Sequence, residues 1–204
     1  MFEVAGKKIL VDPGNLKFEE SFINEWKTAD AILISHRHAD HCKADTIKEF
    51  NIPIYSTQEV ANYYPDLKIN IVKAGDTFYI GKAKIEVVRA IHGFHPVLMK
   101  ERKGEIFENI GFILDDGKTR AYFTSDTICF NHDYKADIIF APVTGNCVTM
   151  DAIAAAMFTK DVSAKKLYIV HLDSYELDME QVQKTLTIQG IDFEIMQNGK
   201  EYAL

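Results

Sequence analysis

The 204-residue chain is poor in cysteine and proline and has no long apolar run. Its three cysteines, Cys42, Cys129 and Cys147, are odd in number and scattered, which excludes a disulfide framework and a paired-cysteine zinc site. Such usage fits a reducing compartment, so a cytoplasmic location is expected. The opening, MFEVAGKKILVDPG, carries no apolar stretch behind basic residues and reads as neither a signal peptide nor a membrane span. A basic excess is missing too. Lys plus Arg number 23 against 30 Asp plus Glu, a net charge of −7, whereas duplex binding needs a basic footprint. No Pro/Gly/Ser linker, internal repeat or Gly-x-Ser-x-Gly elbow occurs, so neither a domain boundary nor a serine mechanism has support. What is present is ordinary globular composition, 47% hydrophobic and 26% charged. A chain this long buries about 70% of its unfolded surface, and one domain over residues 1–204 is expected.

Short strands are expected at Phe2–Val4 and Lys8–Val11, the second ended by Asp12-Pro13-Gly14. Phe18, Phe22 and Trp26 recur at helical spacing, and Ala31–Ile34 reads as a buried strand. A short helix over Asp45–Phe50, a strand over Ile52–Ser56 and a helix capped by Thr57, carrying Val60 and Tyr63, follow. Strands are expected at Ile69–Lys73 and Lys84–Ala90, with a turn at Gly75-Asp76. Residues 92–109 form a long polar loop, of the kind that is usually functional inside a domain. Asp115-Asp116-Gly117 joins strands Ile110–Leu114 and Arg120–Thr124 as a hairpin. Near the end, strand Asp137–Ala141 precedes a helix capped by Thr149 and carrying Met150, Ile153 and Met157, with Ala154 and Phe158 beside them. Strand Leu167–Val170 precedes one opened by Asp178 and Gln181. Hairpins followed by alternating strands and helices predict an α/β layered sandwich.

The apolar strand Ala31–Ile34 runs straight into Ser35-His36-Arg37-His38-Ala39-Asp40-His41. In an extended loop residues two apart project to one side, so His36 and His38 can grip one ion. Asp40 and His41 lie one step further on and can reach a second. Imidazole with carboxylate suits zinc, iron or manganese. His92, Asp126 and His171 each sit just past an apolar strand, where they can converge at one sheet edge. His95 competes with His92, which is nearer its strand end. Asp12 can accept the free N–H of a metal-bound histidine or serve as a turn residue before Pro13-Gly14. Cys42 is either a thiolate ligand or a small buried hydrophobe.

His36-x-His38-x-Asp40-His41 after an apolar strand resembles the signature of the metallo-β-lactamase fold superfamily. The resemblance spans nearly the whole chain in the family's order: Ile9–Gly14 with its aspartate, Ala90-Ile91-His92-Gly93, Phe123-Thr124-Ser125-Asp126-Thr127 with Ser where Gly is common, and Tyr168-Ile169-Val170-His171. Among the branches it most resembles the compact lactonase-like and uncharacterised metal-dependent hydrolases. The resemblance implies a four-layer αβ/βα sandwich, two mixed β-sheets flanked by helices, with metals at one sheet edge. It implies two divalent ions, zinc by default with manganese or iron as alternatives. His36, His38 and His92 would hold the first, Asp40, His41 and His171 the second, and Asp126 would bridge. Members with oxygen chemistry at di-iron sites carry Glu where this chain has His38, which favours hydrolysis.

A shared hydroxide would then attack an ester-type substrate, a phosphoester or lactone, with Asp40 orienting it or taking its proton. His95, Lys100, Arg102 and Lys103 in the loop are candidates for an anionic group, or simply a solvated face. His132 is a candidate acid for the leaving group and Tyr175 a candidate pocket wall. The expected partner is a small anionic or cyclic ester, with no membrane and no long RNA. The alternatives are a nuclease-like phosphodiesterase acting on nucleic-acid ends and a non-catalytic metal-binding sensor.

Overall fold

The central strands are buried on both faces, as two stacked sheets with helices outside them require. The computed structural model describes residues 1–95, 105–172, 177–197 and 199–202. The first half supplies β1 (Phe2–Val4), β2 (Lys7–Val11), α1 (Phe22–Trp26), β3 (Ala31–Leu33), α2 (Ala44–Ile47), β4 (Ile54–Ser56), α3 (Gln58–Tyr63) and β5 (Ile69–Ile71). Its five strands form one sheet in sequence order, antiparallel at β1–β2 and parallel thereafter.

The second half supplies β6 (Thr77–Ile80), β7 (Ala83–Ala90), β8 (Asn109–Asp115), β9 (Arg120–Phe123), β10 (Ile138–Pro142), α4 (Ala152–Val162), β11 (Lys166–Val170), α5 (Met179–Ile188) and β12 (Phe193–Ile195). These seven strands lie in the order β12-β11-β10-β9-β8-β7-β6. β6 to β9 form an antiparallel meander, and β9 to β12 pair in parallel.

Period-two alternation assigns each strand residue to a layer. Leu33, Ile85, Phe112, Phe140 and Tyr168 pack between the two sheets. Ile32 and Ile34, one step off Leu33, face outward against Trp26, Ile47 and Val60 of the first three helices. On the other sheet Tyr122, Ile139 and Ile169 face Phe158 and Val162 of α4 and Val182 and Leu186 of α5. Helix, sheet, sheet, helix is the expected αβ/βα sandwich. No helix among the described residues is long and apolar enough to cross a membrane.

Two local expectations need correction, and two strands are added. Phe18 lies before α1 rather than in it, because the chain turns over residues 15–21. Its ring still meets Trp26 at 5.3 Å, so the spacing reported a contact and not a continuous helix. The cap of α4 is Asp151, whose carboxylate accepts from the Ala154 amide at 2.8 Å. Thr149 instead pairs with the Thr144 hydroxyl at 2.7 Å. The face of α4 that packs is Ala155, Ala156, Phe158 and Val162, while Ile153 and Met157 are 53% and 59% exposed. Small residues let the helix backbone approach the sheet, and the Phe158 ring fills the space beside them. β6 and β12, edge strands of four and three residues, were not anticipated.

Candidate metal centre

In the second sheet the directions of β7, β9 and β11 agree, so residues just past their C-terminal ends share one edge. His92, Asp126 and His171 occupy those positions, and Asp12 and the His36–His41 turn follow β2 and β3 in the facing sheet. Asp12, Ser125 and His171 all adopt left-handed backbone, with φ of 46°, 61° and 60°. Such conformations are disfavoured for residues with a β-carbon and gather at functional sites.

The His36–His41 turn is braced from two sides. The amides of His41 and Cys42 both donate to the His38 carbonyl at 3.0 Å. The Asn15 amide donates to the Ala39 carbonyl at 2.9 Å, and Lys43 donates to Pro13 at 2.7 Å. Gly14 sits between these two bonds, and a β-carbon there would fall 1.6 Å from the Asp40 carbonyl oxygen. Gly93 holds the His92 side in the same way, since its β-carbon would fall 1.8 Å from the Cys147 carbonyl oxygen. Arg37 points to the opposite side from its neighbours. It donates to Glu59 at 2.9 Å and to the Glu105 carbonyl at 2.7 Å.

Three overlapping donor groups result: His36, His38 and His92; His36, His41 and Asp126; and Asp40, His41 and His171. His36 Nε2 lies 3.1 Å from His38 Nδ1. Asp126 Oδ2 stands between the clusters, 3.4 Å from His41 Nε2, 3.5 Å from His171 Nε2 and 3.9 Å from His92 Nε2. His171 Nε2 is 3.3 Å from Asp40 Oδ2. Two ligand bonds of about 2.05 Å opened at a tetrahedral angle place their donor atoms roughly 3.3 Å apart, so these separations suit shared cations.

Two buried nitrogens decide whether the group fits. His92 donates from Nδ1 to the Gly93 carbonyl at 2.7 Å, and His41 engages Asp12 Oδ2 through Nδ1 at 2.8 Å. The Nε2 atom of each is buried with no hydrogen-bond partner. A buried, unpaired polar atom is costly, and a cation beside these lone pairs relieves that cost. Asp12 also accepts from the Ser35 amide at 2.7 Å and the Ser35 hydroxyl at 2.6 Å.

The protonation pattern follows from the same packing. Burial pushes the His36 imidazole well below its ordinary value, and the neighbouring imidazoles add to this. Burial likewise lowers His92. Burial acts downward on His41 too, but the Asp126 and Asp12 carboxylates outweigh it and hold that ring well above its usual range. At Asp40 burial opposes ionisation, yet the His171 hydrogen bond and the His41 charge hold the carboxyl below the carboxylate range. Asp126 is lowered by the same contest, between burial and the imidazoles around it.

A family profile described as a beta-lactamase superfamily domain matches residues 1–171. The chain belongs to the beta-lactamase superfamily. Within this superfamily it is 29% identical over 221 residues to a UPF0173 metal-dependent hydrolase of Flavobacterium johnsoniae, covering 99% of this chain and 94% of that one. It is 27% identical over 220 residues to another of Archaeoglobus fulgidus, covering 96% and 91%. Among solved structures the metallo-beta-lactamase fold protein YhfI from Bacillus subtilis superposes with a TM-score of 0.77 at 18% identity, over 96% of this chain and 87% of that one. A diphosphatase from the PhnP family superposes with a TM-score of 0.70 at 20% identity, over 98% and 81%. These two likenesses concern the fold.

His95 belongs to none of the three donor groups, whereas His92 belongs to one. Cys42 packs with Ile34, Ile47 and Val60, and burial pushes its thiol up to about 12, so it is a core residue. His132 stacks on Tyr134 at 5.0 Å and against Phe158 of α4 at 4.4 Å. It therefore belongs to the α4 layer, and its placement as a leaving-group acid is corrected. Lys100, Arg102, Lys103 and Tyr175 lie outside the described residues. Ser35, Ser125, Asn109 and Gly14 went unread as site residues, since serine, asparagine and glycine carry no metal-ligand signal.

A cavity of about 180 Å³ opens at Asp40, Asp126 and His171. It shares Val170 and His171 with a groove of about 640 Å³ lined by Lys17, Phe18, Leu172 and Met196. Together they have the size range of small-ligand sites.

Proposed function

We propose that the chain is a binuclear metal-dependent hydrolase that cleaves a small ester-type substrate, a phosphoester or a lactone. The observation that carries the reading is the pair of buried Nε2 atoms on His41 and His92, which make no hydrogen bond and face a carboxylate set between the clusters. His36, His38 and His92 would hold one ion, Asp40, His41 and His171 the other, and Asp126 would serve both. Divalent ions so bound, zinc by default, supply an activated water and an electrophile for a substrate oxygen.

The chain's own residues do the rest. Asp12 holds the His41 ring through Nδ1 and keeps Nε2 turned toward the centre. The Asp40 side chain, 30% exposed, is the most open carboxylate of the set and faces the cavity. Held in its ionised form, it can orient the attacking water. Phe123, Pro142 and Val170 line the apolar wall and limit bulk water beside the reacting atoms. The groove gives room for the part of the substrate that is not cleaved. The relatives named as metal-dependent hydrolases support the same reaction class.

The test joins metal analysis with a screen of phosphodiesters, phosphomonoesters, lactones and thioesters at defined zinc and manganese loading. The expected result is about two ions per chain, turnover of one ester class, and near loss of that turnover in Asp40→Ala with the fold intact. A chain that binds no ion after reconstitution, or an Asp40→Ala rate equal to the parent's, overturns the reading. Bound metal with no turnover across the screen would instead favour a sensor.

A further inference from the structure

We infer that Ser125 is a positioning residue that fixes the His36 ring for the first ion. The inference rests on the binuclear reading above and deepens it. Ser125 is 3% exposed and sits in left-handed backbone at φ 61°, a region that a β-carbon disfavours. Glycine would sit there without strain, so the side chain must contribute something that glycine lacks.

Its hydroxyl donates to Asn109 Oδ1 at 3.0 Å and lies 3.4 Å from His36 Nδ1. With its one proton committed to Asn109, the Ser125 oxygen can only accept from His36. The Ser35 hydroxyl is constrained alike. It donates to Asp12 Oδ2 at 2.6 Å and lies 3.0 Å from His36 Nδ1. Two acceptors facing one ring nitrogen place the imidazole proton on Nδ1. The lone pair is then left on Nε2, the atom that meets His38.

Asn109 links this arrangement to the bridge. Its Nδ2 donates to the Asp126 carbonyl at 2.6 Å, so the amide that orients Ser125 also anchors the backbone of the shared carboxylate. A continuous path therefore runs from Asp126 through Asn109 and Ser125 to His36, and from there through Ser35 and Asp12 to His41. Ser35 and Asp12 serve both ligand sets, whereas Ser125 acts on His36 alone.

The test is Ser125→Gly, read by calorimetric titration of the metal-free full chain with Zn²⁺ and by NMR of the histidine ring nitrogens. Removing a partner of this kind lowers metal affinity by about 10–100-fold, and the longer 3.4 Å contact points to about tenfold. The expected result is that loss for one of two ions, the other unchanged, with thermal stability of the metal-free protein equal or higher. In the same metal-free protein the His36 Nδ1–H signal should weaken against an Nε2–H form. Asn109→Leu, which frees the Ser125 proton to donate toward His36, should shift the tautomer in the same direction and serves if Ser125→Gly fails to fold. Equal loss at both ions, or unchanged affinities with an unchanged tautomer, overturns the inference and leaves the binuclear reading standing. A parent protein that takes up no Zn²⁺ overturns that reading instead, and the tautomer then decides the role of Ser125.

Discussion

Replacing Gly14 by alanine should damage the metal centre without touching a ligand. The added β-carbon would fall 1.6 Å from the Asp40 carbonyl oxygen, 2.0 Å from its carbon and 2.6 Å from the His41 amide nitrogen. Ordinary contact begins near 3.5 Å, so one backbone must retreat by roughly 2 Å. All three clashing atoms are main chain, so no rotamer change relieves them. Gly14 has no positive φ, so the cost comes from the contact and not from the backbone angle. The retreat would break Asn15 to Ala39 and Lys43 to Pro13, about 1 kcal/mol each. It would also pull His41 from Asp12, a buried charge-assisted bond of about 1.5–3 kcal/mol. The sum is about 3.5–5 kcal/mol, or a fall in Tm of about 7–20 °C for a chain of this size. Thermal unfolding of the metal-free protein measures it, and on the proposed ligand split metal analysis should show the ion that Asp40, His41 and His171 would hold lost first. An unchanged Tm with full metal content would refute the claim that this close approach sets the turn.

Three further outcomes follow from the same structure. Asp126→Asn, which removes the carboxylate facing both clusters, should cut bound metal from about two ions to one or fewer; mass spectrometry of the native protein reads this directly. Arg120 grips Glu86 at 2.8 and 3.0 Å and holds its carboxyl down at about 2. The pair's stabilisation is thus full above about pH 4.5 and vanishes as pH falls toward 2. Urea unfolding should show Glu86→Gln about 1 kcal/mol weaker at neutral pH, after allowance for solvent screening, with the two curves merging in acid. Phe140→Ala empties the space between the sheets, where the ring stacks on Tyr168 at 4.9 Å and meets Phe2 edge-on at 4.9 Å. It should cost about 3–5 kcal/mol in the same assay, and a loss below about 1 kcal/mol would place the core elsewhere.

Much of the donor set was legible because local chain geometry decides it. His36, His38, Asp40 and His41 share one short turn after a buried strand. His92, Asp126 and His171 each follow an apolar strand, a pattern visible in one dimension. Layering was legible for the same reason, since Ile32 and Leu33 face opposite sides wherever the strand lies. The spacing on α4 did not separate its faces: of the residues it picked out, Met150 and Phe158 are buried and Ile153 and Met157 exposed, and the alanines that allow the close approach carry no such signal. His132 also looked close to Asp126 along the chain, yet the irregular segment between them carries it to Phe158 of the helix layer.

Residue type and two-residue spacing therefore determined by themselves which side chains could bind metal and that a layered α/β sandwich would carry them. Only the tertiary structure decided that a glycine must pass under the Asp40 carbonyl, and that Asn109 and Ser125 would join Asp126 to His36. Those contacts connect residues 16 to 89 positions apart. Their partners are chosen by sheet register and by the distance between two packed sheets, quantities that no local pattern encodes.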